Sequence, residues 1–121
     1  LLNDCLAKAA AGDFITLKGI SEYVTPEQWE QLTATLRKKA QGGNARSQAD
    51  LAYLMLFSYR SEESGYPEAL AWARLSAGQG DPCGMYVLGR ALIYEFGMGF
   101  LDVPGSLERP CGRGGHVEFQ Q

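Results

Sequence analysis

A glycine-rich stretch, residues 77–89 with the sequence AGQGDPCGMYVLG, is the first candidate for chemistry, because such loops can hold phosphate groups. A phosphate-binding loop needs G-x-x-x-x-G-K-[ST], or G-x-G-x-x-G after a strand. Gly78, Gly80 and Gly84 do not have that spacing, and no lysine follows them. Pro82 also removes one backbone N–H donor. The stretch therefore favours a turn between two helices over nucleotide binding.

Two pairs of carboxylates are the next candidates, because a hydrolase can use two carboxylates at a suitable separation. Glu27 and Glu30 fall in the first turn of a predicted helix, where the helix dipole favours negative charge. Glu62 and Glu63 fall in a polar loop, where we expect them to be solvated. We therefore predict no enzyme, and a small hydrolase that uses Glu62 or Glu63 stays as a less favoured alternative.

The chain has one histidine, His116, and three cysteines, Cys5, Cys83 and Cys111. No two cysteines form a C-x-x-C pair, so the usual zinc and redox motifs are absent from the sequence. We predict no metal site and no cofactor. The sequence does not settle whether Cys5 and Cys83 form a disulfide, and we interpret both as small buried hydrophobic residues.

Residues 105–121 contain the dipeptides Gly-Ser, Leu-Glu and Glu-Phe and the tripeptide Cys-Gly-Arg, which common restriction sites encode in frame. We interpret this segment as a vector-encoded tail, with a natural glycine-rich disordered tail as the alternative. The domain that we assign is residues 1–104. His116 and Cys111 then have no functional role.

Charge and hydropathy limit the partners. The formal net charge of −3 argues against a general nucleic-acid binder, which would have a basic surface. Apolar runs such as residues 54–57 are much shorter than the roughly 20 residues that a membrane-spanning helix needs. We expect neither a nucleic-acid partner nor a membrane span.

Apolar spacing and turn residues predict five helices. The first covers residues 1–11, and residues 14–24 stay ambiguous. The second begins after Thr25, with Gln28 completing a capping box, and ends at the pair Gly42–Gly43. The others cover residues 44–57, 68–77 and 82–96. Because two glycines leave little room between the helices that they join, we expect antiparallel hairpins.

The chain matches itself at an offset of 37 residues. A helix, a tight glycine turn and a second helix that recur with such a period are typical of an α-solenoid, in which neighbouring hairpins stack. The matched pairs are Arg37 with Arg74, Ala40 with Ala77, Gly43 with Gly80, Asn44 with Asp81, Leu51 with Leu88 and Phe57 with Tyr94.

These residues resemble the Sel-one-like repeats, relatives of the tetratricopeptide repeat. The resemblance is specific over residues 66–99, weaker over 26–57, and does not reach 1–24. The chain departs from the family pattern at Gly84, where alanine is usual, and in the loop 61–65. The residues that carry it are Tyr66, Ala69–Trp72, Ala77, Gly80–Asp81, Tyr86, Leu88–Gly89, Tyr94 and Gly97–Gly99.

The resemblance implies an all-α fold, a short right-handed α–α superhelix of stacked antiparallel hairpins. Its repeats would cover about residues 26–64 and 66–100, after an N-terminal helix. The implied function is protein–protein interaction, as an adaptor or scaffold that presents a concave surface. The alternative is an inhibitor or immunity protein that neutralises an enzyme or toxin. An exposed repeat end could also pair with another copy.

Partner-binding residues are expected among those that break the core period of their helix. They are Arg46, Asp50 and Tyr53 on the helix over 44–57, and Arg90 and Glu95 on the helix over 82–96. We expect them to project from the concave face.

Other residues have structural interpretations. We interpret Gly78 and Gly80 as turn residues and Gly89 as a point where two helices approach closely. The basic cluster Arg37–Lys39 with Arg46 complements a helix dipole. The aromatic residues at repeat positions are predicted to be core; they are Trp29, Trp72, Tyr66, Tyr86 and Tyr94.

Overall fold

The computed structural model describes residues 3–4, 7, 18–19, 21–58 and 60–96, with side chains of the last helix described to residue 93. It contains α1 (Pro26–Gln41), α2 (Ala45–Phe57), α3 (Tyr66–Gly78) and α4 (Pro82–Phe96), with a 3-10 turn (Glu63–Gly65) directly before α3. No strand occurs within these ranges, so the predicted all-α class is confirmed for them. Most of the predicted N-terminal helix and all of residues 105–121 lie outside the described residues.

The start of α1 is the predicted capping box. The Thr25 hydroxyl oxygen accepts a hydrogen bond from the Gln28 N–H at 3.1 Å, and the Gln28 side-chain oxygen accepts one from the Thr25 N–H at 2.9 Å. Pro26 occupies the first turn, where its missing N–H costs nothing. The helix then buries Leu32 and Leu36 on the face predicted from their spacing.

The turn between α1 and α2 is closed by two backbone hydrogen bonds. The Gly43 N–H donates to the Ala40 carbonyl at 3.0 Å, and the Asn44 N–H donates to the Lys39 carbonyl at 3.2 Å. This pair of bonds is the Schellman motif, which needs a left-handed residue after the helix. Gly43 meets that need with a φ of 98°, as its type and position predict.

The turn between α3 and α4 has the same two hydrogen bonds, 37 residues further along. The Gly80 N–H donates to the Ala77 carbonyl at 2.9 Å, and the Asp81 N–H donates to the Ser76 carbonyl at 3.3 Å. Gly80 has a φ of 85°. Gly78 is instead the last residue of α3 and lacks a positive φ, so its interpretation as a turn residue is wrong.

Side-chain caps start the two following helices. The Asn44 carboxamide oxygen accepts from the Ser47 N–H at 2.8 Å, and the Asp81 carboxylate accepts from the Cys83 N–H at 2.8 Å. Each bond satisfies an N–H group that has no partner within its own helix. Both helix starts therefore lie where the sequence predicts them.

The core is organised around α2, which packs against α1, α3 and α4. Every residue from 47 to 54 is buried, including the polar residues Ser47, Gln48 and Asp50. A helix that is buried all round lies inside its domain, whereas a surface helix buries one stripe. The helix α4 buries such a stripe, formed by Cys83, Gly84, Val87 and Ala91.

Gly84 is the point at which α4 approaches α3 most tightly among the described glycines. A Cβ atom at this position would lie 2.6 Å from the Ala77 backbone nitrogen and 2.6 Å from the Ser76 Cβ. At Gly89 a Cβ atom would meet no atom of the described residues within 4 Å. The expectation that Gly89 marks the close approach is therefore wrong, because the stripe that faces α3 passes through residue 84 instead.

Cys83 is fully buried, as predicted, but it is disulfide-bonded. The sequence left disulfide formation by Cys83 open, and the structure shows that Cys83 forms one. The partner cysteine lies outside the described residues, as do both Cys5 and Cys111.

Two glycine substitutions on α4 should have opposite effects on stability. Gly84→Ala places a methyl group against backbone atoms of α3, and overpacking of this kind costs about 1–3 kcal/mol. Gly89→Ala meets no described atom and should stabilise the helix by up to about 1 kcal/mol. Urea unfolding measures both, and equal midpoints for the two variants would contradict the assigned close approach.

Candidate interaction site

Two of the predicted binding residues are not on an open surface. Asp50 and Tyr53 are each 2% exposed. They break the apolar pattern of one helix face, but α2 is covered on several sides and so has no polar face in solvent. The expectation that Asp50 and Tyr53 project from a concave face is therefore wrong.

Arg46 is half-buried and joins α2 to the start of α4. Its Nε atom lies 3.3 Å from the Asp81 Oδ2 atom, and the Asp81 side chain is nearly buried. Asp81 also caps α4, so one carboxylate holds both the helix start and the arginine of the preceding hairpin. Arg46 therefore takes part in a contact between the two hairpins.

Arg90 contacts the last residue of α2, Phe57. Its guanidinium carbon is 4.6 Å from the centre of the Phe57 ring, a cation–π distance, and its Nη1 atom donates to the Tyr86 hydroxyl at 3.1 Å. Glu95 lies on α4, and its side chain is outside the described residues. A role in binding stays a prediction for Arg46, Arg90 and Glu95.

The carboxyl group of Asp50 is buried in surroundings that disfavour its charged form. Its Oδ1 atom has no hydrogen-bond partner in the described part of the chain. Burial raises the pKa of Asp50 well above its ordinary value; Arg46 opposes that rise, Asp81 adds to it, and Lys39 opposes it. The proton-bound, neutral form of Asp50 is thus favoured by folding.

Further polar contacts join the first hairpin to the second at several points. Ser76 donates to the Ala45 carbonyl at 2.7 Å, and Gln79 donates to the Gln48 side-chain oxygen at 2.9 Å. These contacts lie near the two glycine turns and align α3 on α2.

An ion pair lies at the other end of α3. The Arg37 Nη2 atom is 3.0 Å from the Glu68 Oε2 atom. The hydrogen bond from the Trp72 indole N–H is the largest of the effects on the pKa of Glu68, and it lowers that pKa. Partial burial raises the pKa, and Arg37 lowers it. Arg37 and Arg46 therefore do more than complement a helix dipole, since both pair with acids of the second hairpin.

An apolar groove of about 760 Å³ lies where the end of α2 meets the start of α3. Tyr66 stands at this groove and is 40% exposed, so the prediction that Tyr66 belongs to the core is wrong. The i, i+4 pair Tyr66 and Leu70 at a helix start is the sequence signal that could have indicated the groove. The lining residues are Leu56, Phe57, Glu63, Tyr66, Pro67, Leu70 and Ala91.

A smaller pocket of about 360 Å³ lies on the other side of the connecting loop and includes Trp29 and Arg60. Arg60 lies 5.9 Å from the centre of the Trp29 ring and donates to the carbonyl groups of Ser21 and Val24, at 3.3 Å and 2.5 Å. Its guanidinium group therefore ties residues 21–24 to the helical body. We assign this arginine a structural role.

The candidate catalytic carboxylates do not come together. Glu62 and Glu63 are both exposed, as predicted, and they line different pockets. Glu27 and Glu30 are both exposed on α1. Glu27 lies in the first turn, as predicted, but Glu30 lies beyond it, so the first-turn placement of Glu30 is wrong. In the described ranges, no three His, Cys, Asp or Glu side chains are grouped to hold a metal ion. No described helix combines the length and the hydropathy of a membrane span.

Comparisons of the chain with protein-family models, with curated proteins and with solved structures give no match. The resemblance to Sel-one-like repeats therefore rests on the sequence pattern alone. What the structure adds is the pair of identical turns centred on Gly43 and Gly80, 37 residues apart.

The pKa of Asp50 generates a prediction about stability and pH. Because the folded state binds this proton more tightly than the unfolded state does, protonation of Asp50 favours folding. This contribution to the free energy of unfolding is fully present below the pKa that Asp50 has in the unfolded chain. That contribution is lost as the pH rises through the raised folded pKa. Asp50→Asn has no such proton to lose, so its stability relative to the parent chain should increase with pH and then level off.

Urea unfolding of both chains between pH 4 and pH 8 measures this difference. Asp4→Asn, at an exposed aspartate, is the matched control for the removal of one carboxyl group. A stability difference between Asp50→Asn and the parent chain that stays constant over this range would contradict the buried, proton-bound carboxyl group.

Proposed function

We propose that this chain is a protein–protein interaction module, an adaptor or scaffold built from stacked helical hairpins. The observation that carries the proposal is the apolar groove formed where the two hairpins meet, with Tyr66 exposed at its edge. Exposed apolar surface gathered in a concave site is typical of binding sites for other proteins.

A short right-handed superhelix is part of this proposal. Its support is the equivalence of the two turns, together with the packing of α2 against both α3 and α4. Hairpins that stack in this way bury apolar faces that no hairpin could bury alone. The ends of neighbouring helices then form grooves between hairpins.

The chemistry of the groove suits a partner side chain that is apolar or aromatic. Tyr66, Phe57 and Leu70 supply apolar area, and aromatic residues are enriched where interfaces hold their binding energy. Glu63 lines the groove, and the Arg90 guanidinium lies over Phe57. These two charges give a binding segment a preferred orientation.

An inhibitor or immunity protein is the second candidate, and the same groove supports it. Such a protein would form a one-to-one complex with an enzyme and abolish its activity. Catalysis by Glu62 or Glu63 is not part of the proposal, because each side chain is exposed and they line separate pockets.

The proposal predicts that Tyr66→Arg weakens capture of a specific partner at least about tenfold, since hot-spot residues contribute 2 kcal/mol or more. Tyr23→Arg is the matched control, because Tyr23 is exposed and does not line the groove. Quantitative affinity capture from extract of the source cells compares the parent chain with both variants. Thermal unfolding verifies that each variant is folded.

Capture that survives in Tyr66→Arg, or that Tyr23→Arg also removes, would contradict binding through the groove. If the captured protein is an enzyme, its activity is measured with increasing amounts of the chain. Complete loss at a one-to-one ratio identifies an inhibitor, and unchanged activity identifies an adaptor.

A further inference from the structure

The outward face of α4 is apolar, and no other described helix covers it. Met85 is 52% exposed, Gly89 is exposed and Leu92 is half-buried, and these residues follow one another at helical spacing. They lie opposite the stripe that packs against the body. A helix that is apolar on both sides is typical of a buried helix, as α2 is.

The corresponding face of α2 shows how such a surface is covered. Its residues lie 37 positions earlier: Gln48 matches Met85, Ala52 matches Gly89 and Met55 matches Leu92. Ala52 is fully buried there.

Two contacts show that α3 covers this face of α2. Gln79, after the end of α3, donates to Gln48 at 2.9 Å, and a Cβ atom at Gly65, before its start, would lie 3.3 Å from the Met55 Cε atom. Because the end of α3 lies at the beginning of α2 and its start lies near the end, the two helices run antiparallel.

An ion pair also joins α3 to the first hairpin. Arg37 pairs with Glu68, the third residue of α3, at 3.0 Å. The residue 37 positions after Arg37 is Arg74, which is exposed and makes no ion pair or hydrogen bond in the described part of the chain. At matching positions the second hairpin therefore has an apolar helix face and an arginine, as the first hairpin does, but no helix among the described residues covers that face.

We propose that the face formed by Met85, Gly89 and Leu92 binds an antiparallel helix of a partner protein that carries a carboxylate in its first turn, opposite Arg74. The proposal rests on the proposed interaction function and adds a second site to it. The groove at Tyr66 and this face of α4 are separate surfaces, so each can be tested without the other.

A second copy of this chain is a poorer occupant. In a head-to-tail stack, α1 of the second copy would take the place of α3, and the position that matches Glu68 is Gln31. Glutamine cannot form the ion pair with Arg74. The apolar residues Leu32 and Leu36 of α1 are, in addition, already buried in their own hairpin.

The experiment uses the full ¹⁵N-labelled chain and a helix-stapled peptide with the sequence of residues 65–79, which is the helix that covers α2. A second peptide carries lysine at the position of Glu68. We expect saturable shifts of the amide signals of Arg74, Met85, Gly89 and Leu92. Arg74→Glu should weaken binding of the acidic peptide by about threefold, which is the scale of an exposed ion pair. The same variant should strengthen binding of the lysine peptide by a similar factor.

Two variants complete the design. Gly89→Trp should abolish peptide binding while the chain stays folded, because Gly89 is exposed and a Cβ atom there would meet no described atom within 4 Å. Tyr66→Arg should leave peptide binding unchanged, so that failure of the groove and failure of this face can be told apart.

Three results would overturn the proposal. They are the absence of saturable shifts, shifts confined to other residues, and peptide affinities that do not change when Arg74→Glu is combined with either peptide. Sedimentation provides a further test. Concentration-dependent dimerisation that Gly89→Trp abolishes would overturn it too, since the occupant would then be a second copy.

Discussion

The packing of α2 against three other helices is the constraint on which the other features depend. Since α1, α3 and α4 all contact this helix, its polar side chains must find partners inside the protein. Gln48 does so, by donating to the Ala40 carbonyl and accepting from Gln79. The Oδ1 atom of Asp50 has no hydrogen-bond partner among the described residues, and burial of this side chain raises its pKa. Polar residues of α2 are therefore part of the interior.

A backbone contact holds the two helices of the second hairpin together, and side-chain contacts set the position of that hairpin on the first. Gly84 lets α4 approach α3, and Ser76, at this same point, donates to the Ala45 carbonyl of the first hairpin. The pair of Arg46 and Asp81 joins the start of α4 to α2. Such contacts hold one relative arrangement of the hairpins, and that arrangement forms the groove at Tyr66.

The helices α2 and α4 have matching positions but different surroundings. Ala52 is buried under α3, whereas Gly89, its counterpart, is exposed among the described residues. The groove and the outer face of α4 are thus two consequences of one stacking geometry. Both surfaces are apolar, and it is on them that the proposed protein–protein interaction depends.

The helix limits were determined by the sequence itself. The capping box of Thr25 and the left-handed turn at Gly43 depend on hydrogen bonds between residues at most five positions apart, and local sequence encodes such bonds. The offset of 37 residues likewise predicted a second turn at Gly80.

Only the tertiary structure decided which surfaces are open. Asp50 and Tyr53 break the pattern of one helix face, which predicts exposure unless a second helix covers that side, as happens here. The same holds for the close approach at Gly84 and for the exposure of Tyr66. The physical reason is that burial depends on neighbours about 30 residues away, such as Gln79 beside Gln48, and no local pattern specifies them.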